Sequence, residues 1–234
     1  MAGKIRTFTG RSAEEDVHQM TTMEWVNQYK LIAIVRGLKP EYMLGLADAL
    51  YAGGINMMEV TFAQAKPETW KDTANAIAEV SRHMEGKMLV GAGTVLTEEQ
   101  LVMAKDAGAK YIITPNTNLN LIRKVKEFGL VSFPGAMTPS EIVAAWEAGA
   151  DAVKVFPAGN LGPGYLKAIK APLAHIPMMA VGGVSEKNVA DFQAAGACGF
   201  GIGGNLVNKT WIENGEWDKI TALAAEYRKA VEEK

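Results

Sequence analysis

One short pattern recurs four times along this chain and limits its fold more than any other feature. A helix closes on Ala-Gly and a β-rich segment follows at once. Ala52-Gly53-Gly54 leads into residues 55–60, Ala107-Gly108-Ala109 into 111–114, Ala148-Gly149-Ala150 into 152–156, and Ala195-Gly196-Ala197 into 198–202. Glycine just past a helix end permits the left-handed turn that points the chain back toward a sheet. Repetition of that unit implies helices alternating with parallel strands. Further strands are read at 31–36, 88–92, 131–133 and 178–181, which makes eight. Thr97-Glu98-Glu99-Gln100 and Thr138-Pro139-Ser140-Glu141 read as capping boxes, and Ser185 as the N-cap of another helix. Eight βα units in 234 residues favour a closed (β/α)8 TIM barrel over an open doubly wound sheet. The reading is one α/β domain over residues 21–234, preceded by an N-terminal tail or arm at 1–20.

Composition narrows the function classes. A net charge of -2 gives no reason to expect nucleic acid or an anionic membrane as partner. No run of about 18 apolar residues is present to span a bilayer, and the first residues lack the apolar core of a secretory signal. Cys198 is the single cysteine, which excludes an internal disulfide and fits a reducing, cytoplasmic setting.

In a barrel of this kind the active site gathers at the C-terminal ends of the strands. Three charged residues stand there at the ends of otherwise apolar runs: Arg36, Glu59 and Lys154. Strand alternation puts Ile34 with Arg36 on one face, Met57 with Glu59 and Thr61, and Ala152 with Lys154 and Phe156. An ammonium in an apolar strand costs several kcal/mol to desolvate unless it is paired or loses its proton. Burial therefore makes Lys154 a candidate amine nucleophile, one that would attack a ketone to form an iminium. Glu59 would move the protons, and Arg36 would grip a carboxylate bidentately, so that a 2-oxo acid presents its carbonyl to the lysine. The alternatives are a lysine that snorkels to water and a purely structural ion-pair network.

Thr94 and Pro115 fall at the ends of the third and fourth strands and, with Phe156, are candidate substrate contacts, although turn chemistry accounts for the first two equally well. Gly182-Gly183 and Gly203-Gly204-Asn205 follow the seventh and eighth strands, where barrels of this fold commonly bind phosphate on backbone N–H groups. No metal is expected: His18, His83 and His175 are scattered and have no ligand-like spacing. No Gly-x-Gly-x-x-Gly opens a helix after a strand, so a dinucleotide cofactor is not expected.

The segments Glu59-Val60-Thr61, Val90-Gly91-Ala92-Gly93-Thr94-Val95-Leu96, Phe133-Pro134-Gly135, Val153-Lys154-Val155-Phe156-Pro157-Ala158, Gly162-Pro163-Gly164-Tyr165-Leu166-Lys167-Ala168 and Ala180-Val181-Gly182-Gly183-Val184 occur in that order. Together they resemble the 2-keto-3-deoxy-6-phosphogluconate/4-hydroxy-2-oxoglutarate aldolase family, from about residue 24 to the C-terminus. The resemblance implies a class I, pyruvate-forming aldolase, a carbon–carbon lyase that needs no cofactor beyond its own lysine imine and is usually a homotrimer. In that pattern the lysine of K-x-F-P forms the Schiff base and the glutamate of E-V-T is the general acid/base; these fall on Lys154 and Glu59. Members acting on the phosphogluconate substrate often carry arginine shortly after E-V-T, where this chain has Ala63-Gln64. Arg36 then takes the carboxylate, an arrangement closer to the phosphogalactonate branch. Asn205 stands where many relatives have serine, which leaves 4-hydroxy-2-oxoglutarate open beside the phosphorylated sugar acids. Two other functions stay in view: a phosphate-binding barrel isomerase or synthase with no covalent lysine adduct, and a catalytically idle binding barrel.

Overall fold

The computed structural model describes residues 20–232, so the tail expected at 1–20 lies, but for Met20, outside the described residues. The strands are β1 (Leu31–Val35), β2 (Met57–Thr61), β3 (Leu89–Gly93), β4 (Tyr111–Ile113), β5 (Val131–Phe133), β6 (Gly135–Ala136), β7 (Val153–Val155), β8 (Met178–Val181) and β9 (Gly199–Ile202). All pair in parallel, in the order β5-β4-β3-β2-β1-β9-β8-β7-β6. The two ends of that order, β5 and β6, are separated in the chain by Pro134 alone, so the sheet closes on itself as a barrel.

The expected eight strands are therefore nine, because the fifth is broken. Proline has no N–H to give a ladder. Its carbonyl still accepts from Lys154 N–H at 2.8 Å, while β5 pairs with β4 and β6 pairs with β7. Gly135 lets the broken strand lie tight against its neighbour: a Cβ there would sit 2.4 Å from the Pro115 carbonyl carbon.

The helices are α1 (Thr22–Tyr29), α2 (Met43–Ala52), α3 (Trp70–His83), α4 (Glu98–Asp106), α5 (Leu119–Glu127), α6 (Pro139–Glu147), α7 (Ala158–Lys170), α8 (Val189–Ala194), α9 (Lys209–Glu213) and α10 (Trp217–Glu232). Both capping boxes form, with Thr97 closing on Gln100 and Thr138 on Glu141. The glycines of the recurring pattern take the left-handed conformation, with φ of 85° at Gly54, 90° at Gly108, 103° at Gly149 and 99° at Gly196. Ser185 does not begin a helix. Asn188 turns its side chain back, accepting from Ser185 N–H at 2.8 Å and donating to the Gly183 carbonyl at 3.0 Å, so α8 starts only at Val189.

Two layers of apolar side chains hold the barrel. Leu31, Ala33, Val35, Met58, Val60, Val153 and Val155 point outward and pack under the helices. Ile32, Ile34, Met57, Tyr111, Ile113, Phe133, Ala152, Met179 and Val181 fill the interior, and Val26 of α1 joins them from the N-terminal end. The same alternation fixes the direction of the charged residues. Glu59 follows outward Met58 and Lys154 follows outward Val153, so both side chains enter the barrel.

Candidate active site

Burial at the strand ends sets the electrostatics. Glu59 is 1% exposed and Lys154 is 6% exposed. Desolvation pushes the Glu59 carboxyl from 4.5 up to about 7, against the opposing pull of the Lys154 and Arg36 charges. Desolvation also holds the Lys154 ammonium below its ordinary value, Glu59 opposing and Arg36 assisting. A carboxyl kept partly protonated near neutral pH and an amine whose proton is held less tightly than usual face one interior, an arrangement suited to proton transfer beside a nucleophile. Oε2 of Glu59 has no hydrogen-bond partner among the described residues. Lys154 Nζ lies over the Phe156 ring, 4.8 Å from its centroid.

A cavity of about 230 Å³ opens above Lys154. Arg36, Lys154, Phe156 and both glycine pairs with Asn205 line it. Arg36 stands one residue past the end of β1 and is exposed, so its guanidinium belongs to the mouth and not to the strand. Gly182 and Gly183 have φ of 86° and 76°. A Cβ on Gly182 would come within 3.0 Å of the Phe156 ring, and one on Gly183 within 2.9 Å of Gly159 Cα. The turn after β8 is thus pressed against the start of α7, where Gly159 N–H donates to the Gly182 carbonyl at 2.6 Å. A Cβ on Gly203 or Gly204 would meet nothing within 4 Å, so that segment presents bare backbone to the cavity. Such surfaces suit an anion held by N–H groups.

Two expected contacts stand apart from this cavity. Pro115 is half-buried and lines a neighbouring cavity of about 490 Å³, which also touches Phe156. Thr94, half-buried with φ of 55°, follows the strand glycine that abuts Glu59. Gly93 itself escaped sequence reasoning. A Cβ there would lie 2.7 Å from Glu59 Oε2 and 2.8 Å from Thr61 Cγ2, so the Glu59 carboxyl needs a glycine on the adjacent strand. The signal was present in the parallel alignment of β2 with β3, which pairs Glu59 with Gly91 and Thr61 with Gly93. Among the described residues no three His, Cys, Asp or Glu side chains cluster as metal ligands, and no helix is long and apolar enough to cross a membrane.

This geometry agrees with what the chain is similar to. A family model described as "Aldolase: KDPG and KHG aldolase" matches residues 23–223. The 2-dehydro-3-deoxy-6-phosphogalactonate aldolase of Escherichia coli (strain K12) is 35% identical over 211 residues, covering 90% of this chain and 100% of that protein. A probable 2-dehydro-3-deoxy-6-phosphogalactonate aldolase of Rhizobium meliloti (strain 1021) is 41% identical over 177 residues, covering 75% of this chain and 81% of the relative. Among solved structures, KDPG aldolase from Legionella pneumophila, with pyruvate captured at low pH as a covalent carbinolamine intermediate, superposes with a TM-score of 0.78. It is 27% identical and covers 87% of this chain and 96% of that one.

Proposed function

The chain belongs to the KDPG and KHG aldolase family, and on that premise we propose that it is a class I aldolase that splits a 2-keto-3-deoxy-6-phospho sugar acid through an imine on Lys154. The observation that carries the assignment is the pairing of a buried amine with a buried carboxyl whose pKa is raised to about 7 and which feels the Lys154 charge, the amine opening on a cavity lined by Arg36 and the glycine pairs.

The free amine of Lys154 adds to the C2 ketone. Protonated Glu59 gives a proton to the departing hydroxyl, and water leaves as the iminium forms. The Glu59 carboxylate then takes the C4 hydroxyl proton. The C3–C4 bond breaks, its electron pair enters the iminium to give an enamine, and the aldehyde departs. Glu59 returns its proton to C3, and hydrolysis of the new imine releases pyruvate and frees the lysine. No external cofactor enters this sequence. Arg36 orients the substrate carboxylate, Phe156 covers the amine, and the glycine pairs with Asn205 take the phosphate. Thr94 and Pro115 do not line this cavity; the reading gives them substrate contacts from the adjoining walls, Pro115 through the neighbouring cavity that shares Phe156.

The phosphogalactonate-type acid is the favoured substrate, supported by Arg36 at the mouth, Ala63-Gln64 with no guanidinium after E-V-T, and the names of the two relatives. Products are then pyruvate and glyceraldehyde 3-phosphate; 4-hydroxy-2-oxoglutarate, which would yield glyoxylate, is the competing substrate. The same reading includes a homotrimer, a cytoplasmic location and a single barrel from residue 21.

Incubation with pyruvate and borohydride tests the chemistry. A reduced adduct on Lys154 is expected, and an unmodified lysine in active protein would leave the isomerase or synthase reading instead. A retro-aldol screen coupled to pyruvate detection, over hydroxy-oxo acids with and without phosphate, tests the substrate.

A further inference from the structure

Thr94 is one of two non-glycine residues at positive φ among the described residues, and nothing in its own side chain favours that conformation. A threonine held left-handed costs about 1–2 kcal/mol and persists only where its surroundings impose it. Here the restraint comes from the segment that follows β2. Phe62 N–H donates to the Gly93 carbonyl at 2.9 Å, which extends the β2–β3 ladder by one backbone bond. The next carbonyl, that of Thr94, is taken by a side chain: Gln64 Nε2 donates to it at 2.6 Å.

Gln64 is held in turn by Gln100, which is 0% exposed. The two carboxamides pair reciprocally, Gln100 Nε2 donating to Gln64 Oε1 at 3.0 Å and Gln64 Nε2 to Gln100 Oε1 at 3.3 Å. Gln100 Oε1 also accepts from Leu96 N–H at 2.7 Å and Thr97 N–H at 3.3 Å. Beyond Gln64, Trp70 Nε1 donates to the Ala63 carbonyl at 3.0 Å and pins the segment from its other side. A buried amide pair with both partners bonded is stiff, and truncating one member leaves the other unsatisfied. What it holds is the peptide next to Gly93, the glycine whose Cβ position is 2.7 Å from Glu59 Oε2.

We propose that Gln64 and Gln100 are positioning residues for the proton-transfer step: their paired amides lock the Gly93–Thr94 turn and so fix the wall against which the Glu59 carboxyl rests. The pair touches no reacting atom. The inference rests on the assignment of Glu59 as the proton carrier, and two assays keep their failures apart. Borohydride trapping of pyruvate reads the amine of Lys154. Exchange of the pyruvate methyl protons with deuterated water, followed by NMR, reads proton transfer at C3.

Gln64 is half-buried and Met matches its length, so Gln64→Met should fold, and Gln64→Ala removes the side chain without adding bulk. Both variants should trap pyruvate to the same final extent as the unaltered protein, because the Lys154 amine is intact, although the adduct forms more slowly where Glu59 assists loss of water. Both should lose exchange by about 10- to 100-fold, the effect expected when a catalytic group is misplaced by a fraction of an ångström to an ångström. The apparent pKa of the exchange rate should also move, because the Glu59 surroundings change. A network that merely stabilises the fold would lower the melting temperature and leave exchange rate and its pKa untouched in folded protein; that result would overturn the proposal. Absence of exchange or trapping in the unaltered protein would instead remove the assignment on which it rests.

Discussion

Replacing Glu59 by glutamine should do two opposite things, and the structure gives the size of one of them. Ionising a carboxyl that is 1% exposed is unfavourable, which is why its pKa stands at about 7 and not 4.5. In the unfolded chain the same group ionises near its ordinary value, so between the two pH values the folded protein binds a proton that the unfolded chain has lost. Stability must fall as pH rises through that window and level off above it. The difference between 4.5 and about 7 corresponds to about 3 kcal/mol at 1.36 kcal/mol per pKa unit, a net figure in which the pull of Lys154 and Arg36 is already included.

Glutamine has the same shape and no charge to desolvate. Urea unfolding of both proteins across pH 4 to 9 therefore checks the reasoning. The variant should gain on the unaltered protein through the window from about 4.5 to 7 and hold a constant advantage of about 1–3 kcal/mol above it. Its turnover should fall by about two to four orders of magnitude, the usual worth of a general acid/base. Pyruvate should still be trapped on Lys154. A stability difference that is flat with pH, or that favours glutamate at pH 8, would show that Glu59 is an ordinary ionised carboxylate and remove the basis for its role.

The remaining predictions concern the groups around it. Lys154→Ala should abolish cleavage and borohydride trapping while circular dichroism reports an intact barrel; more than trace cleavage would end the imine mechanism. Gly93→Ala should lower kcat by about 10- to 100-fold, because the new methyl would sit 2.7 Å from Glu59 Oε2, and steady-state kinetics reads this directly. Gly182→Ala forces a side chain into φ of 86° and toward the Phe156 ring, so KM for a phosphorylated substrate should rise more than KM for its dephosphorylated counterpart. For the unaltered protein, removal of the phosphate should raise KM and lower kcat together, since remote binding energy orients the reacting carbonyl; equal constants for the two substrates would favour 4-hydroxy-2-oxoglutarate.

What was legible in the sequence was whatever depends on neighbours along the chain. The helix–glycine–strand repeat is local, and so is the inward and outward alternation that sends Glu59 and Lys154 into one interior. Capping at Thr97 and Thr138 is local as well. The break at Pro134 was legible in principle, since a proline within a strand has no N–H for the ladder, but its consequence needed the partner strands. Only the pairing of β5 with β4 and β6 with β7 makes the interruption a way of closing the barrel. Ser185 shows the converse: its hydroxyl accepts from Lys187 N–H as a cap would, but the turn it opens does not become α-helix until Val189, and the Asn188 amide spans that turn back to Gly183.

The site divides along the same line. A charge at the end of an apolar strand is visible because it is improbable there, and Arg36, Glu59 and Lys154 were found on that ground alone. Gln100 could not be found that way. At the third position of a helix behind threonine it has a sufficient local explanation, the capping box, and it does make that box. Its burial and its bonds to Gln64 come from a partner 36 residues away. Gly93 is hidden for a related reason: glycine at a strand end is common, and only the approach of Glu59 from the next strand makes this one necessary. The residues proposed for the chemistry of this barrel are thus ones that violate local expectation, while those proposed to support them satisfy local expectation and do something further across strands.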